Sequence, residues 1–432
     1  MSYSRVPPDA HVRLLLAEGV SAATRFHSGL GCVPYFMSAR GASVRGVDGR
    51  EYIDLCMSNG AALLGHGPSL PSDQVDGDFW GYESPLAPEL ARLIAEAYPG
   101  VDRMRFCLSG SEAVAHAIRL ARLATGRRRI LKFGGHFHGN VDPLQVNWRD
   151  RGEVVREDGT CAVRAEMAGV DPTLVEQVRV APFNMPTALD TCLETWGSEL
   201  AAVILEPVAV NAGCVHPLPG LLRHLRELCD HHGCLLVFDE ILSGFRSTTG
   251  AAASGAEAGA DLILLGKVVG GGWPLSVVAG SEPAMSSVRR DGYFLSGTHA
   301  GSHPLVARAV ATLRELRDTD VLRRVGDTCS QFVDSLSGSL ARHGMPARLE
   351  RVGDRFSIWF GRDPDKPIVR PVWSPDDHRW LERLTQCAYR QGVFMRVQSH
   401  HGISAAHTDR VLDEAVRRLD RAVQALVRGE YA

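Results

Sequence analysis

The chain has 432 residues, of which 45% are hydrophobic and 22% are charged, and it carries a formal net charge of −3. This near-neutral balance excludes a strongly basic nucleic-acid-binding protein, and the length predicts two or three domains around a large core. The sequence shows neither a signal-peptide pattern nor a run of about 18 apolar residues, so we predict a cytoplasmic protein without a membrane span.

The cysteines and histidines predict neither a disulfide framework nor a metal site. The 10 cysteines are scattered and come closest at Cys229 and Cys234, with no C-x-x-C pair. A chain of this length can stabilise its core without disulfides, so we expect reduced thiols. The 17 histidines include close pairs, but no further ligands stand at the spacings that a metal requires.

The N-terminal segment precedes the main pattern of the chain. We predict that residues 1–66 form an arm and part of a small domain, with a helix at 9–18 and a hairpin that turns at Asp48-Gly49. Residues 67–85 combine Pro, Gly, Ser and Asp, which is the composition of a loop.

From about residue 86 the pattern alternates between helices and short apolar strands. Strands are predicted at 104–108, 129–133, 201–206, 234–238 and 261–265. Such near-continuous apolar strands, separated by helices, indicate a parallel sheet covered by helices on both faces. We therefore predict an α/β protein whose large domain spans 67–304, with an irregular excursion at 141–175.

Residues 305–432 predict a smaller α+β domain. Two long helical patterns come first, followed by the strand "RFSIWF", a helix near 377–391 and a final helix from about 408. The N-terminal arm joins this domain in our prediction, so both ends of the chain contribute to it.

Ser109-Gly110-Ser111 follows the first strand of the large domain and opens a helix. Ligands of parallel sheets bind at the carboxyl ends of the strands, and N–H groups at a helix N-terminus attract anions. With two hydroxyl groups beside them, these N–H groups suit a phosphate. Serine is also a common helix cap, so the motif taken alone is compatible with a plain cap.

Three further strands end in candidate site residues. Phe137 and His138 follow the strand 129–133, where an aromatic ring either stacks on a flat ligand or packs in the core. Asp239 ends a buried apolar strand and needs a cationic partner, and Lys267 follows the next strand, 28 residues later. A lysine at that position is either a reactive amine or a side chain that extends to solvent.

A phosphate cradle, a platform for a flat ring, a buried carboxylate and a buried lysine together suit pyridoxal phosphate. The lysine would form a Schiff base with the aldehyde, because burial and nearby cations make an amine nucleophilic. The carboxylate would keep the pyridine nitrogen protonated, so that the ring acts as an electron sink. We therefore predict a PLP-dependent enzyme with Lys267 and Asp239 as its catalytic residues.

Longer stretches make this prediction specific. They include "RFCLSGSEAVAHAIRLARLATGRRRILKF", "FHG", "AAVILEPVAVNAG", "LLVFDEILSGFR", "LLGKVVGGGWPL", "GTHAGSHPL" and "ISAAHTD". In these stretches the chain resembles the class III aminotransferases of fold type I, and is most similar to the branch that contains glutamate-1-semialdehyde aminomutase. The stretches keep the family order from about residue 33 to about 427, so the resemblance covers nearly the whole chain.

The resemblance implies a role for each matching residue. Lys267 would hold the cofactor, and Asp239 would face its pyridine nitrogen. Asn211 would lie near the ring hydroxyl, and Ile241 would pack against the ring face opposite Phe137. The cofactor-binding residues implied are Ser109, Gly110, Ser111, Phe137, His138, Asn211, Ile241, Lys267 and Thr298.

The resemblance also implies a homodimer with shared active sites. Gly297-Thr298 matches a segment that reaches the phosphate of the neighbouring subunit's site in the family. The expected partners are therefore a second copy of the chain and small molecules, namely an amino donor and a carbonyl acceptor.

Three regions depart from the family pattern, and all three line the substrate entrance in the family. An asparagine replaces an expected tryptophan, the acidic loop 67–85 replaces an expected helix, and the segment before "GISAAHTD" is basic. The substrate contacts that we predict are Asn59, Asp76, Asp78, Trp80, Tyr82 and Arg396. Carboxylates interleaved with aromatic rings favour a cationic, polyhydroxylated ligand, and a solvated acidic loop is the alternative.

These observations predict a PLP-dependent class III aminotransferase. It would move an amino group from an amino acid, glutamate or glutamine, to a carbonyl acceptor such as a sugar or aminocyclitol in aminoglycoside-like antibiotic biosynthesis. An intramolecular aminomutase of the glutamate-1-semialdehyde type and a PLP-dependent epimerase are the alternatives, because they would use the same residues. A cofactor-binding protein without catalysis is disfavoured by the presence of both Lys267 and Asp239.

Overall fold

The computed structural model describes residues 33–70, 80–148, 154–246, 258–286, 295–345, 347–397 and 399–430, with a few isolated positions before residue 33. The helix predicted at 9–18 and the acidic positions Asp76 and Asp78 lie outside the described residues. Among the described helices, none is long and apolar enough to cross a membrane. The nine described cysteines are all buried and form no disulfide with one another.

The described elements follow the predicted alternation closely. In chain order, the strands are β1 (Phe36–Arg40), β2 (Ser43–Gly46), β3 (Glu51–Asp54), β4 (Arg103–Cys107), β5 (Arg129–Phe133), β6 (Val146–Trp148), β7 (Val163–Ala165), β8 (Val178–Ala181), β9 (Leu200–Leu205), β10 (Leu235–Glu240), β11 (Leu262–Leu265), β12 (Ser276–Gly280), β13 (Ala347–Val352), β14 (Arg355–Phe360), β15 (Val393–Phe394) and β16 (His401–Gly402). The helices are α1 (Ala87–Ala97), α2 (Gly110–Thr125), α3 (Pro172–Val175), α4 (Pro186–Trp196), α5 (Leu221–His232), α6 (Glu282–Met285), α7 (His303–Asp318), α8 (Val321–Arg342), α9 (Pro375–Arg390) and α10 (Asp409–Val427). Single turns lie at Met57–Gly60, Asp142–Leu144, Gly197–Glu199 and Lys267–Gly270.

The chain divides into two compact units. The larger unit comprises Leu70–Arg323 and Ile368–Val372, and the smaller unit comprises Met1–Ser69, Arg324–Pro367 and Trp373–Ala432. The sequence predicts a boundary after residue 304, whereas the larger unit continues to Arg323. Helix α7 belongs to the larger unit because it packs against α1 and against the turn that begins at Lys267.

The larger unit is built on a seven-stranded sheet with the order β4-β12-β11-β10-β9-β5-β8. Strands β8, β5, β9, β10 and β11 run parallel, and β12 is antiparallel to both of its neighbours. Helix α2 covers one face with small side chains, including Ala113, Ala117 and Ala121, which pack with Val237 and Leu264. The predicted α/β class with a mostly parallel sheet is confirmed.

The excursion at 141–175 contains more regular structure than the sequence predicts. Strands β6 and β7 pair antiparallel, and the short helix α3 follows them. Two of the three strand residues of β6, Val146 and Trp148, join the buried cluster beneath α2. The segment is therefore anchored to the sheet of the larger unit at the described positions.

The smaller unit contains a four-stranded sheet, β1-β2-β3-β15, and a three-stranded sheet, β13-β14-β16. The predicted hairpin at Asp48-Gly49 joins β2 to β3, with Gly49 at a φ of 81° and the Asp48 carboxylate accepting from the N–H of Arg50 at 3.0 Å. Helices α9 and α10 pack against each other in the same unit. The described residues 33–69 and 373–430 therefore both contribute to this unit.

Candidate active site

The backbone at Lys267 is strained. Strand β11 ends at Leu265, Gly266 is extended, and Lys267 has a φ of 47° at the start of the turn Lys267–Gly270. A positive φ disfavours residues with a side chain, and such strain persists where the surrounding structure fixes it, which is frequent at functional sites. The side chain of Lys267 is half-buried.

Asp239 lies on the strand next to the one that precedes Lys267. In the parallel pairing of β10 with β11, Asp239 is opposite Leu264, three residues before the lysine. The Asp239 carboxylate accepts from Nδ1 of His138 at 2.8 Å and from the N–H of Ile241 at 3.2 Å. Burial raises the pKa of Asp239 to about 7, against the Ile241 hydrogen bond and the charge of Lys267, which lower it. The carboxylate thus favours further positive charge.

His138 orients Asp239 as a neutral ring. Burial, and then the charge of Lys132, hold the pKa of His138 well below its ordinary value. With His138 neutral, Nδ1 carries the proton that is donated to Asp239, so the bond fixes the tautomer. Nε2 of His138 is buried and has no hydrogen-bond partner among the described residues.

Glu206 is a site residue that the sequence analysis missed. Its carboxylate accepts from the N–H of Phe137 at 3.0 Å and from both the backbone N–H and the side-chain amide of Asn211, at 3.1 Å each. Burial and the neighbouring Asp239 raise the pKa of Glu206 to about 7. The available signal was the same as for Asp239, an acidic residue directly after an apolar strand.

The phosphate motif has the geometry of a capped helix N-terminus. The hydroxyl of Ser109 accepts from the N–H of Glu112 at 3.3 Å, so Ser109 does act as a helix cap. The hydroxyl of Ser111 accepts from the N–H of Asn140 at 2.9 Å. A Cβ on Gly139 would come within 2.5 Å of the Ser111 hydroxyl. The loop after β5, which contains Gly139, therefore passes close to the first turn of α2.

Ile241 lies between two glycines. A Cβ on Gly110 would come within 2.7 Å of Cδ1 of Ile241, and a Cβ on Gly266 within 3.1 Å of its Cγ2. Phe137 is 46% exposed, although its backbone is held by buried Glu206. The missing Cβ atoms of the two glycines let the side chain of Ile241 pack between them, where it can form one wall of a site for a flat ring. The buried carboxylate of Asp239 suits the pyridinium nitrogen of such a ring. The residues present therefore fit pyridoxal phosphate.

The predicted dimer and entrance residues of the larger unit lie at its surface. Thr298 is exposed, as are Trp80 (43%) and Tyr82 (74%). The ring of Trp80 contacts His299 edge to face, with 5.1 Å between ring centroids. This contact joins the segment at Trp80 to the segment that contains Thr298, and the roles of both segments stay predictions.

Asn59 and Arg396, the predicted substrate contacts of the smaller unit, are bonded to each other. Nη1 of Arg396 donates to Oδ1 of Asn59 at 2.6 Å. Asn59 belongs to the turn Met57–Gly60, in which Met57, Ser58 and Asn59 all have positive φ angles, of 47°, 53° and 55°. Cys56 and Met57 donate their N–H groups to the carboxylate of Asp54, which holds the start of this turn.

The fold and the site define a pyridoxal-phosphate-dependent enzyme of fold type I, and comparison with known proteins agrees. The class-III aminotransferase family model matches residues 32–423, so the chain belongs to the class-III aminotransferases.

Among the described residues, no group of three His, Cys, Asp or Glu side chains could hold a metal ion.

The chain is similar over nearly its whole length to proteins named glutamate-1-semialdehyde 2,1-aminomutase. It is 34% identical to the protein of Desulfosudis oleivorans over 412 residues, which cover 93% of this chain and 94% of the relative. It is 32% identical to the protein of Aquifex aeolicus over 422 residues, which cover 95% and 97%.

Solved structures show the same fold. An omega-transaminase from Sphaerobacter thermophilus matches with a TM-score of 0.87 and 26% identity over 98% of this chain and 99% of that chain. The FumI protein of Sphingopyxis sp. MTA144, solved with PLP, matches with a TM-score of 0.80 and 25% identity over 97% and 95%. The chain is therefore a PLP-dependent enzyme, as the sequence predicts.

Proposed function

We propose that the chain isomerises one amino-substituted aldehyde by moving an amino group between two of its carbons, as a 2,1-aminomutase of the glutamate-1-semialdehyde type does. The observation that carries the proposal is the combination of Lys267 and Asp239 at adjacent strand ends, in a chain whose aminomutase-named relatives match it along nearly its whole length. This replaces transfer between two substrates, our first prediction, as the leading function.

Bound PLP would supply a ring that withdraws electrons from the substrate carbon that bears the amino nitrogen. Lys267 would hold the cofactor, and its Nζ would take and return the proton at that carbon. Asp239 would keep the ring nitrogen protonated, oriented by the N–H of His138. Glu206 would hold the backbone of Phe137 and the side chain of Asn211 in place beside the cofactor.

We also propose that the active form is a homodimer. Thr298 is exposed in the single chain and thus available to a second copy, as are Trp80, Tyr82 and Trp273, the last 49% exposed. The ring of Trp80 contacts His299, the neighbour of Thr298, so this exposed ring and the threonine lie on one part of the surface that a second copy could cover. Sedimentation at assay concentration should show a dimer, and a fully active monomer would contradict this part of the proposal.

Transfer from a separate amino donor to a separate acceptor is the second candidate. The specific observation that favours it is the match to the Sphaerobacter omega-transaminase, which covers 98% of this chain at a TM-score of 0.87. The sugar or aminocyclitol acceptor depends on Asp76 and Asp78, which lie outside the described residues, and stays a prediction.

The two candidates differ in their requirement for a second substrate. The purified protein should convert glutamate-1-semialdehyde into its amino-ketone isomer without an added donor, and Lys267→Ala should not. If the protein instead converts an amino acid into its keto acid while aminating an added carbonyl compound, the second candidate replaces the first. A PLP-loaded protein that does neither would contradict both.

A further inference from the structure

Gln145 is a buried amide in the excursion at 141–175, outside the strand ends that carry the site residues. The side chain is 4% exposed, and its Nε2 donates to the carbonyl of Gly139 at 2.6 Å. Burying an amide costs free energy unless its polar atoms are bonded, and an aliphatic side chain would fill the space without that cost. A buried glutamine at this position therefore indicates that the Gly139 carbonyl needs a donor.

The backbone of Gln145 is held on both sides. Its N–H donates to the carbonyl of Asp142 at 3.1 Å, and its carbonyl accepts from the N–H of Glu166 at 2.9 Å. The residue before it, Leu144, accepts at its carbonyl from Nζ of Lys132 in β5 at 3.2 Å. The amide of Gln145 therefore projects from a backbone that is anchored to the central sheet of the larger unit.

The residues that follow Gln145 support the start of the loop 134–140. Oδ1 of Asn147 accepts from the N–H of Gly135 at 3.1 Å. A Cβ on Gly134 would come within 1.9 Å of the ring of Trp148, so the backbone of the loop lies directly against β6 at this point. The loop 134–140 is therefore in contact with the excursion near both of its ends.

Gly139 lies between two residues through which this loop contacts the cofactor site. His138, before it, donates to the carboxylate of Asp239 at 2.8 Å. Asn140, after it, donates its N–H to the hydroxyl of Ser111 at 2.9 Å. The φ of Gly139 is 73°, which favours glycine, and a Cβ there would collide with the Ser111 hydroxyl. Because these contacts flank Gly139 directly, a shift of its peptide would move both of them.

We propose that Gln145 is a positioning residue, whose amide fixes the peptide of Gly139 and thereby sets the two cofactor-site contacts beside it. These contacts belong to opposite ends of the proposed cofactor, its pyridine nitrogen and its phosphate. The inference rests on the proposed placement of PLP between Asp239 and Ser111, and it is independent of the reaction that PLP supports. Its readouts need no turnover, so a failed isomerase assay would leave it standing.

Titration of the cofactor-free protein with PLP tests this role. Gln145→Met removes the donor and keeps an unbranched side chain of similar length, and it should raise the Kd for PLP about tenfold. Gln177→Met is the matched control: Oε1 of Gln177 accepts from Arg122 at 3.1 Å, just before β8 and thus at the opposite ends of the parallel strands. The control should keep the wild-type Kd. A wild-type Kd in Gln145→Met, or an equal rise in both variants, would overturn the proposal.

The second readout is the absorbance of bound PLP against pH, which a loss of stability alone would not move. Misalignment of His138 changes the hydrogen bonding of Asp239, so Gln145→Met should shift the midpoint by about half a pH unit or more. An unchanged midpoint, or an equal shift in Gln177→Met, would overturn the proposal.

Gln145→Asn replaces Gln145→Met in both experiments if the methionine variant does not fold. Its amide is one methylene shorter and falls out of hydrogen-bond range of the Gly139 carbonyl, so the same results are expected. If neither variant folds while Gln177→Met does, Gln145 is required for the fold itself and the proposal is overturned.

Discussion

Asp239→Asn should make the cofactor-free protein more stable while it inactivates the enzyme. Burial raises the pKa of Asp239 from its ordinary value of 3.8 to about 7, so the folded protein binds this proton more tightly than the unfolded chain. The contribution of this proton to the free energy of unfolding is fully present below pH 3.8 and is lost as the pH rises to about 7. A shift of about 3 pH units corresponds to roughly 4 kcal/mol, shared with the neighbouring Glu206.

At pH 8 the variant should therefore exceed the cofactor-free wild type by roughly 2–4 kcal/mol in unfolding free energy. The asparagine oxygen can take the place of Oδ1 and accept from the N–H of Ile241, and its amide nitrogen then takes the place of Oδ2. That amide can donate to Nδ1 of His138 once the ring carries its proton on Nε2, so packing is preserved. Near pH 4 the difference should vanish, because Asp239 is then protonated in the folded protein. Urea unfolding at both pH values measures these differences.

With PLP bound, the wild type should be more stable than the Asp239→Asn variant. A pyridinium N–H compensates the charge of Asp239, and an amide cannot reproduce that pairing, so PLP should stabilise the wild type more than the variant. Asp261→Asn is the control: this carboxylate bonds Arg226 and the N–H of Leu236, both at 2.7 Å, and its loss should destabilise the protein. The reasoning is refuted if Asp239→Asn gives no gain at pH 8, or an equal gain at pH 4.

Three further predictions follow from the same site. Gly110→Ala should weaken PLP binding at least about tenfold in a direct titration, since the new Cβ would come within 2.7 Å of Ile241, and an unchanged Kd would contradict the cradle. Lys267→Ala should abolish turnover and still bind PLP non-covalently, whereas Lys366→Ala, at a side chain that is 80% exposed, should change neither activity nor absorbance. The rise in Tm on adding PLP should be larger at pH 8 than at pH 5, because Asp239 and Glu206 ionise between those values; equal rises would show that their charge is not what the cofactor compensates.

The strands and their order along the chain were predictable because their signals are local. An apolar run between turn residues identifies β9, β10 and β11 within one or two residues, and Asp48-Gly49 identifies the hairpin between β2 and β3. The acid at the end of β10 and the lysine after β11 could be paired from the sequence, because the edge of a parallel sheet brings successive strand ends together.

Features that depend on distant contacts were not predictable in this way. Helix α7 resembles the helices after it in pattern, but Arg314 forms two hydrogen bonds, at 2.7 and 2.8 Å, with the carboxylate of Glu89, which ties α7 to α1 in the larger unit. The pairing of Lys132 with Ile204, two residues before Glu206, depends on the β5–β9 register, which the periodicity of either strand leaves open.

The positive φ angles at Lys267 and at Met57, Ser58 and Asn59 also escape sequence analysis. Glycine and asparagine favour such angles, whereas lysine, methionine and serine give no local signal for them. At Asn59 the conformation accompanies the hydrogen bond from Arg396, a residue 337 positions away. Sequence analysis singled out both residues as departures from the family pattern, and only the structure shows that they are bonded.

The identity of the lysine that holds the cofactor tests the account most directly. The PLP-loaded protein would be reduced with borohydride, digested, and its peptides mapped by mass spectrometry. We expect PLP to be covalently attached to the peptide that contains Lys267. The larger unit offers another lysine, Lys132, whose side chain is fully buried. Attachment at Lys132, or retention of full activity by Lys267→Ala, would contradict the account.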